Sequence, residues 1–290
     1  MSIEALKKRI KVTEDLREIV GTMKSLSSVS ILQYEQANAA LEKYRRNLKD
    51  AFHALLKQGN LPNVYAKPDI NRQLIILIGT DNGMVGKFNK EILDKAKADL
   101  KKQGVPLKSA LFLTIGKRIS GLVGQNNLNV YAKYAIANSV KMVNTIAETV
   151  IMKIDEATRK EHINSVSVWY HKRNKNEPVS VQKQQIIPFD FAAYQKLKDK
   201  PWGTNNIPMI PIEREKMFAA LLNEYLTIAL ASQLNYSLAA EHYTRMTNMQ
   251  NAEKNIDESL EQMNLEYQQE RQENITDELI DVISGAEAVK

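Results

Sequence analysis

The sequence predicts an α/β domain inserted between two long terminal helices that form an antiparallel coiled coil. Three observations carry this. Residues 212–284 contain neither glycine nor proline, so nothing in them breaks a helix. Residues 3–57 contain one glycine, Gly21, and no proline. Between these stretches, short apolar runs alternate with segments of helical period, the pattern of βαβ units and a mostly parallel sheet with helices on its faces. The expected division is residues 1–58 (first helix), 59–211 (α/β domain with connecting loops) and 212–290 (last helix).

The two helices read as partners. In the last one, Tyr236, Ala239, Tyr243, Met246, Met249, Ala252, Ile256, Leu260, Met263 and Tyr267 follow one another by threes and fours, a single narrow stripe. In the first, Ile3, Leu6, Ile10, Leu16, Val20, Met23, Leu26, Tyr34, Ala37, Leu41, Tyr44, Leu48 and Phe52 have near-heptad spacing. A lone helix with such a stripe is marginal in water and needs another of similar length. Charge favours pairing between the two over self-pairing. Residues 1–60 hold 11 Lys/Arg against 7 Asp/Glu, net +4, whereas residues 212–290 hold 6 against 15, net −9.

In the middle, Gly59, Pro62 and Pro68 mark a connection, and Gln73–Gly79 reads as a fully buried strand. Helical period over Asn89–Lys102 gives way to a turn at Gly104-Val105-Pro106 and a second strand at Ser109–Ile115. A short helix follows Lys117, then a weaker strand at Asn127–Ala132 and a helix over Ser139–Lys160. Ile163–His171 and Pro178–Ile187 alternate with period two and add two strands. Pro188–Pro211, with four prolines and Trp202-Gly203, is the irregular way back to the last helix.

With 43% hydrophobic and 26% charged residues, the chain has ordinary globular composition. It has no cysteine, which excludes disulfides, thiolate metal sites and cysteine nucleophiles. The longest aliphatic run, Leu74–Ile78, is far short of the roughly 20 residues that cross a bilayer, and Ile3–Lys24 is amphipathic and charged rather than signal-like. A cytoplasmic chain without membrane insertion is expected. The net charge of +6 does not point to nucleic acid. The 23 basic against 12 acidic residues of 61–211 are scattered lysines without interleaved aromatics, which suits a solvated face or an acidic partner.

A site for chemistry is sought first in the loop Thr80–Asn89 (TDNGMVGKFN), which leaves a strand and opens a helix where α/β folds bind phosphate. It fits neither phosphate fingerprint. Two residues separate Gly83 from Gly86 where a P-loop has four, Phe88 follows Lys87 where a hydroxyl must reach magnesium, and G-x-G-x-x-G is absent. The glycines read as a tight turn. Asp81 and Asn82 could be catalytic by position, but no second acid, base or activated nucleophile is recognisable beside them, so a capping role is expected for Asp81 or Asn82. His53, His162, His171 and His242 have no ligand spacing. No catalytic, cofactor or metal site is expected, and Asp81, Gly83, Gly86 and Asn89 are taken as a structural loop.

Three stretches together resemble a known family. Residues 243–252 (YTRMTNMQNA) and 268–286 (QQERQENITDELIDVISGA) resemble the end of the gamma subunit of F-type ATP synthases, which has R-M-x-A-M-x-x-A-x-x-N and then R-Q-x-x-I-T-x-E, a hydrophobic run and Gly-Ala. TDNGMVGKFN looks like that family's S-D-x-G-L-C-G-x-x-N, and Ile19–Leu26 (IVGTMKSL) looks like its I-T-K-A-M-K-M-V with Met23 in register. Val85 stands at the family's usual Cys, Ser30 at a usual Lys, and Gly21 where Lys is common. The first helix thereby resembles the gamma subunits of the second, alternative F-type ATPases of some bacteria more than the housekeeping form.

The resemblance implies a central rotor shaft that performs no catalysis itself, coupling ion flow to ATP synthesis or hydrolysis on the beta subunits. Its implied partners are the alpha and beta subunits of the ring, the epsilon subunit and the membrane ring of c subunits, at the cytoplasmic face of the bacterial inner membrane. Implied ring contacts are Met23, Lys24, Arg245, Met246, Arg271, Gln272, Thr276 and Glu278. A free-standing coiled-coil adaptor and a small α/β enzyme with helical extensions are the competing readings. The renewed apolarity at Ile275, Leu279, Ile280, Val282 and Ile283 suits a tip seated in a sleeve rather than an adaptor's polar end.

Overall fold

The computed structural model describes residues 3–59, 72–174, 177–189, 194, 196–204, 206 and 208–288, with side chains at 281, 282 and 284–288 left out. Pro62 and Pro68 lie outside the described residues, as does the side chain of Val282. In chain order the elements are α1 (Ile3–Lys57), β1 (Gln73–Ile78), α2 (Phe88–Lys102), β2 (Leu111–Ile115), α3 (Lys117–Gln125), β3 (Val130–Tyr134), α4 (Val140–Lys160), β4 (Ser165–Lys172), β5 (Ser180–Ile187) and α5 (Arg214–Ala288). A mixed α/β sheet with long N- and C-terminal helices is therefore observed. By contacts the chain forms two units, residues 30–244 and residues 1–29 with 245–290.

In the first unit the strands form one sheet in the order β3-β2-β1-β4-β5. β1 pairs in parallel with β2 and β4, β2 in parallel with β3, and β4 antiparallel with β5. Central β1 is buried along its whole length, as its unbroken aliphatic run requires. Alternate side chains serve opposite faces. Ile75, Leu77, Phe112 and Trp169 meet α2 and α3 through Ile92, Ala96, Leu100, Ile119 and Val123. Leu74, Ile76, Leu113, Val166 and Val168 meet α4 through Val143, Ala147 and Val150.

That second face has a further layer that element boundaries alone do not suggest. Tyr34 of α1 and Leu230, Leu234 and Leu238 of α5 belong to the same core cluster, with Leu41 and Leu226 packed against it half-buried. Ser232 Oγ donates to Asn38 Oδ1 at 3.1 Å within it. The apolar stretch of α5 is long enough by composition to cross a membrane, yet 44% of it is buried here, which accounts for its apolarity.

Several boundaries move from expectation for identifiable reasons. β2 starts at Leu111 rather than Ser109 because Ser109 N–H and Oγ–H both bond Pro106 O, closing a turn. β3 starts at Val130 rather than Asn127 because Asn127 takes φ +52 and ends α3, with Asn127 N–H on Gly124 O and Leu128 N–H on Val123 O. α2 ends in the same motif at Gly104, φ +72, with Val105 N–H on Leu100 O. α5 continues through Gly285 to Ala288, since one helical glycine costs only about 1 kcal/mol.

In the second unit Arg17 Nε lies 2.6 Å from Asp257 Oδ1, and Lys24 pairs with Glu253. The expected stripe of α5 holds here, with Met249 and Met263 buried and Met246, Ala252, Ile256, Leu260 and Tyr267 half-buried. On α1 the inward line differs from the expected seam. Leu6 and Ser27 are buried, whereas Leu16 and Leu26 point outward, Leu26 at 64% exposure. Leu6, Thr13, Val20 and Ser27 follow one another at seven residues, with Ile10 and Lys24 fourteen apart beside them, so the inward line is a regular heptad and Leu16 and Leu26 fall outside it.

Candidate partner-contact site

The loop after β1 is a closed polar network. Thr80 N–H donates to Asn89 Oδ1 at 3.0 Å, Asn89 Nδ2 donates to Thr80 Oγ1 at 2.9 Å, and Thr80 Oγ1 donates to Asn82 O at 2.8 Å. Asp81 Oδ1 accepts from Lys117 N–H at 2.7 Å and from Ile136 N–H at 3.2 Å. It thus satisfies an amide at the start of α3 and ties down the chain after β3. Asp81 is the N-cap of neither neighbouring helix, α2 and α3 being preceded by Lys87 and Gly116; its carboxylate is instead a remote acceptor for backbone amides from two other segments.

Two glycines make this approach possible. A Cβ on Gly116, at φ +124, would lie 2.8 Å from Thr80 N, and one on Gly79 would lie 2.4 Å from Asn89 Oδ1. Gly86 takes φ +56, but so does a residue the sequence did not single out, Met84 at φ +64. Gly83 sits under the Arg118 guanidinium, 3.3 Å from the position a Cβ would take.

Behind the loop, the Phe88 ring stacks on His171 with centroids 3.6 Å apart. His171 is 1% exposed and neither ring nitrogen has a hydrogen-bond partner. Burial, with the nearby charge of Lys95, pushes its pKa down from 6.5 to about 3. It is a neutral packing group. Sequence spacing excluded it as a ligand but gave no sign of this burial.

The expected contact residues fall in the second unit and differ in how open they are. Arg245 is 7% exposed and Met246 half-buried. Met23 and Lys24 are half-buried, with Lys24 held by Glu253. Arg271, Gln272, Thr276 and Glu278 are all exposed, within a run from 271 to 280 in which every residue is exposed. Thr276 Oγ1 donates back to Gln272 O at 2.8 Å, leaving the glutamine amide outward. Ile275, Leu279, Ile280 and Ile283 are exposed alongside, as are Val12, Leu16, Ile19, Leu26 and Val29 on α1. Of the α1 group, Leu16 and Leu26 belong to the expected seam, whereas Val12, Ile19 and Val29 were expected neither in it nor as a surface.

Helices that keep this much apolar surface open, beside a sheet domain whose one promising loop is spent on its own structure, define a subunit of a larger assembly. Comparison with known proteins names the assembly. Residues 2–289 match the family model described as ATP synthase. The ATP synthase gamma chain of Pelagibacter ubique is 27% identical over 300 residues, covering 99% of each chain. That of Geotalea uraniireducens is 26% identical over 297 residues, covering 100% of this chain and 99% of its own. Among solved structures, a chain of the Euglena gracilis mitochondrial ATP synthase OSCP/F1/c-ring assembly matches the fold with a TM-score of 0.63 at 16% identity, covering 99% of this chain and 94% of that one. A chain of the Tetrahymena thermophila mitochondrial ATP synthase central stalk and c-ring matches with a TM-score of 0.54 at 18% identity, over 81% of this chain and 99% of that one. The chain belongs to the gamma chain family of the F-type ATP synthases. The adaptor reading gives way to this membership.

Proposed function

We propose that this chain is the turning shaft of a bacterial F-type ATP synthase, coupling ion flow through the membrane sector to ATP synthesis or hydrolysis on the beta subunits. In this reading the terminal segments of its long helices form an antiparallel coiled coil, supported by the opposite order of the pairs Arg17–Asp257 and Lys24–Glu253 along the two helices. The coiled coil enters a ring of alpha and beta subunits, and the domain of residues 59–211 meets the epsilon subunit and the ring of c subunits. The chain is non-catalytic and sits at the cytoplasmic face of the inner membrane without entering it. The Gly21 and Ser30 positions favour the alternative bacterial form of the enzyme.

The observation that carries the proposal is the unbroken exposure of residues 271–280, where apolar Ile275, Leu279 and Ile280 alternate with Arg271, Gln272, Thr276 and Glu278. An asymmetric rod of this kind offers a different face to each site of a threefold ring, so turning it biases each site in sequence. Losing one hydrogen bond to the ring costs about 1–3 kcal/mol where its partner is left buried and unpaired. Met23 and Lys24 serve as a second contact, where one more positive charge would bind acidic loops too tightly for release. Met246 adds a half-buried apolar contact, and Arg245, being buried, acts by shaping the helix surface around it. The experiment compares ATP-driven pumping into vesicles with hydrolysis by the assembled complex for Gln272→Leu and Met23→Lys. Both variants should assemble and hydrolyse ATP while pumping less per ATP; pumping at the parental ratio would remove these residues from the coupling path.

A further inference from the structure

We propose that the β4–β5 hairpin is the collar by which the sheet unit grips α5, and that Lys172 and Arg173 are positioning residues for the transfer of torque to that helix. This role rests on the shaft reading above and falls to residues to which that reading gives none.

The contacts follow one face of α5. Gln233, Tyr236, Ala240 and Tyr243 succeed one another by threes and fours, a single stripe, and each meets the hairpin. Gln233 Nε2 donates to Gln184 Oε1 of β5 at 2.8 Å. The Tyr236 ring lies 6.4 Å from that of Tyr170 on β4, and Lys172 Nζ stands 4.5 Å from its centroid. Ala240 is fully buried in a cluster with Val85 and Phe88, against which Val179 of the β4–β5 connection packs. The guanidinium carbon of Arg173 sits 3.8 Å from the centre of the Tyr243 ring, which is stacking distance. Between α1 and α5, the same two tyrosines border a cavity of about 210 Å³ with Asn38 and Ala39. That side is only partly filled, so the hairpin supplies grip that α1 does not.

The chemistry of the grip suits a part that must not slip. Apolar burial beneath α5 is non-directional and opposes a sideways turn of the helix weakly. Side chains at the rim of a helix stand about 5–6 Å from its axis, so contacts made there oppose rotation about that axis. A guanidinium stacked on one ring and an ammonium above another hold a preferred geometry, and both reach α5 from a strand pair that is itself part of the sheet. Force that turns the sheet unit is thereby delivered to α5 at two rings a full two turns apart.

The test removes the charges and keeps the length of the side chains. In the isolated full chain, Lys172→Met with Arg173→Met should quicken hydrogen exchange over residues 236–243 by about five- to thirtyfold, the loss expected of two partly exposed cation–ring contacts. Lys172→Arg with Arg173→Lys should keep the parental rate, as should Lys101→Met with Lys102→Met on the exposed end of α2, which controls for charge alone. In the assembled complex, the Lys172→Met, Arg173→Met pair should still hydrolyse ATP in vesicles made leaky to ions, yet build a smaller steady gradient in sealed ones. Its shortfall should grow with the opposing gradient, a dependence on load that a loss of stability alone would not produce. Unchanged exchange in the methionine pair, equal quickening in the conservative pair, or a parental gradient would each overturn the proposal. Exchange is read without the ring, so the collar fails separately from the shaft reading, which the Gln272→Leu comparison tests without touching the hairpin.

Discussion

The two units use helices of the same chain in opposite ways. In residues 30–244, α1 and α5 lie on a sheet and bury Tyr34, Leu230, Leu234 and Leu238 in a core shared with four strands and α4. In the unit of residues 1–29 and 245–290, Leu6, Ser27, Arg245, Met249 and Met263 are the buried residues among those described. The first unit therefore holds most of the apolar burial that stabilises the fold. The second leaves Leu16, Leu26, Leu279 and Ile280 among others on the surface, where they add little to the stability of the free chain.

The contrast breaks most visibly under truncation of large side chains. Phe112→Ala, in the sheet core, should cost about 3–5 kcal/mol in denaturant unfolding of the isolated chain. Leu279→Ala should change it by no more than about 0.5 kcal/mol and act only on the assembled complex. A loss above 1 kcal/mol from Leu279→Ala in the isolated chain would mean that this surface is not open.

Acid should weaken the sheet unit through His171. The folded group stays neutral down to about pH 3, whereas the unfolded chain takes up its proton near 6.5, so stability is full above 6.5 and falls as pH drops toward 3. The slope from this group approaches about 1.4 kcal/mol per pH unit. His171→Phe, which preserves a ring against Phe88, should flatten the stability profile between pH 6 and 4; an unchanged profile would show that the ring reaches water or a partner.

Asp81→Ala should cost about 1–3 kcal/mol, because the amides of Lys117 and Ile136 lose a charged acceptor. Hydrogen exchange should report the loss at the start of α3. The smallest effect belongs to the helical unit, where the partly exposed pair Lys24–Glu253 should show a coupling of at most about 1 kcal/mol in a double-mutant cycle. A larger value would make this unit less dependent on partners than its thin burial suggests.

The sheet and its helices were legible because burial writes itself into composition: the Leu74–Ile78 run, short and followed by a glycine, reads as a fully buried strand, and the structure puts it at the centre of the sheet. The stripe from Tyr236 to Tyr267 was legible for the same reason. The α1 seam was harder, since Leu16 and Leu26 are as apolar as Leu6, and a pattern records apolarity without saying whether it faces the same chain or another. Asp81 was expected to cap a helix, but its place after a strand gave no sign that it would bridge Lys117 and Ile136, which are 36 and 55 residues away. The burial of His171 depends on Phe88 reaching across from another element, and no local spacing encodes that.

The joint contribution of α1 and α5 to one sheet face sets a schedule for synthesis. Asn38 and Ser232 are 194 residues apart, so at about 5–20 residues per second the ribosome finishes the second partner roughly 10–40 s after the first. Throughout that interval the nascent chain carries Tyr34 and Leu41 without the α5 residues that will cover them. The sheet can assemble from β1 to β5 meanwhile, but one of its faces stays uncapped until translation is nearly over. Chaperone dependence and aggregation during expression should accordingly respond more to substitutions in 226–238 than to equally apolar ones in α2, whose partners emerge within a few seconds.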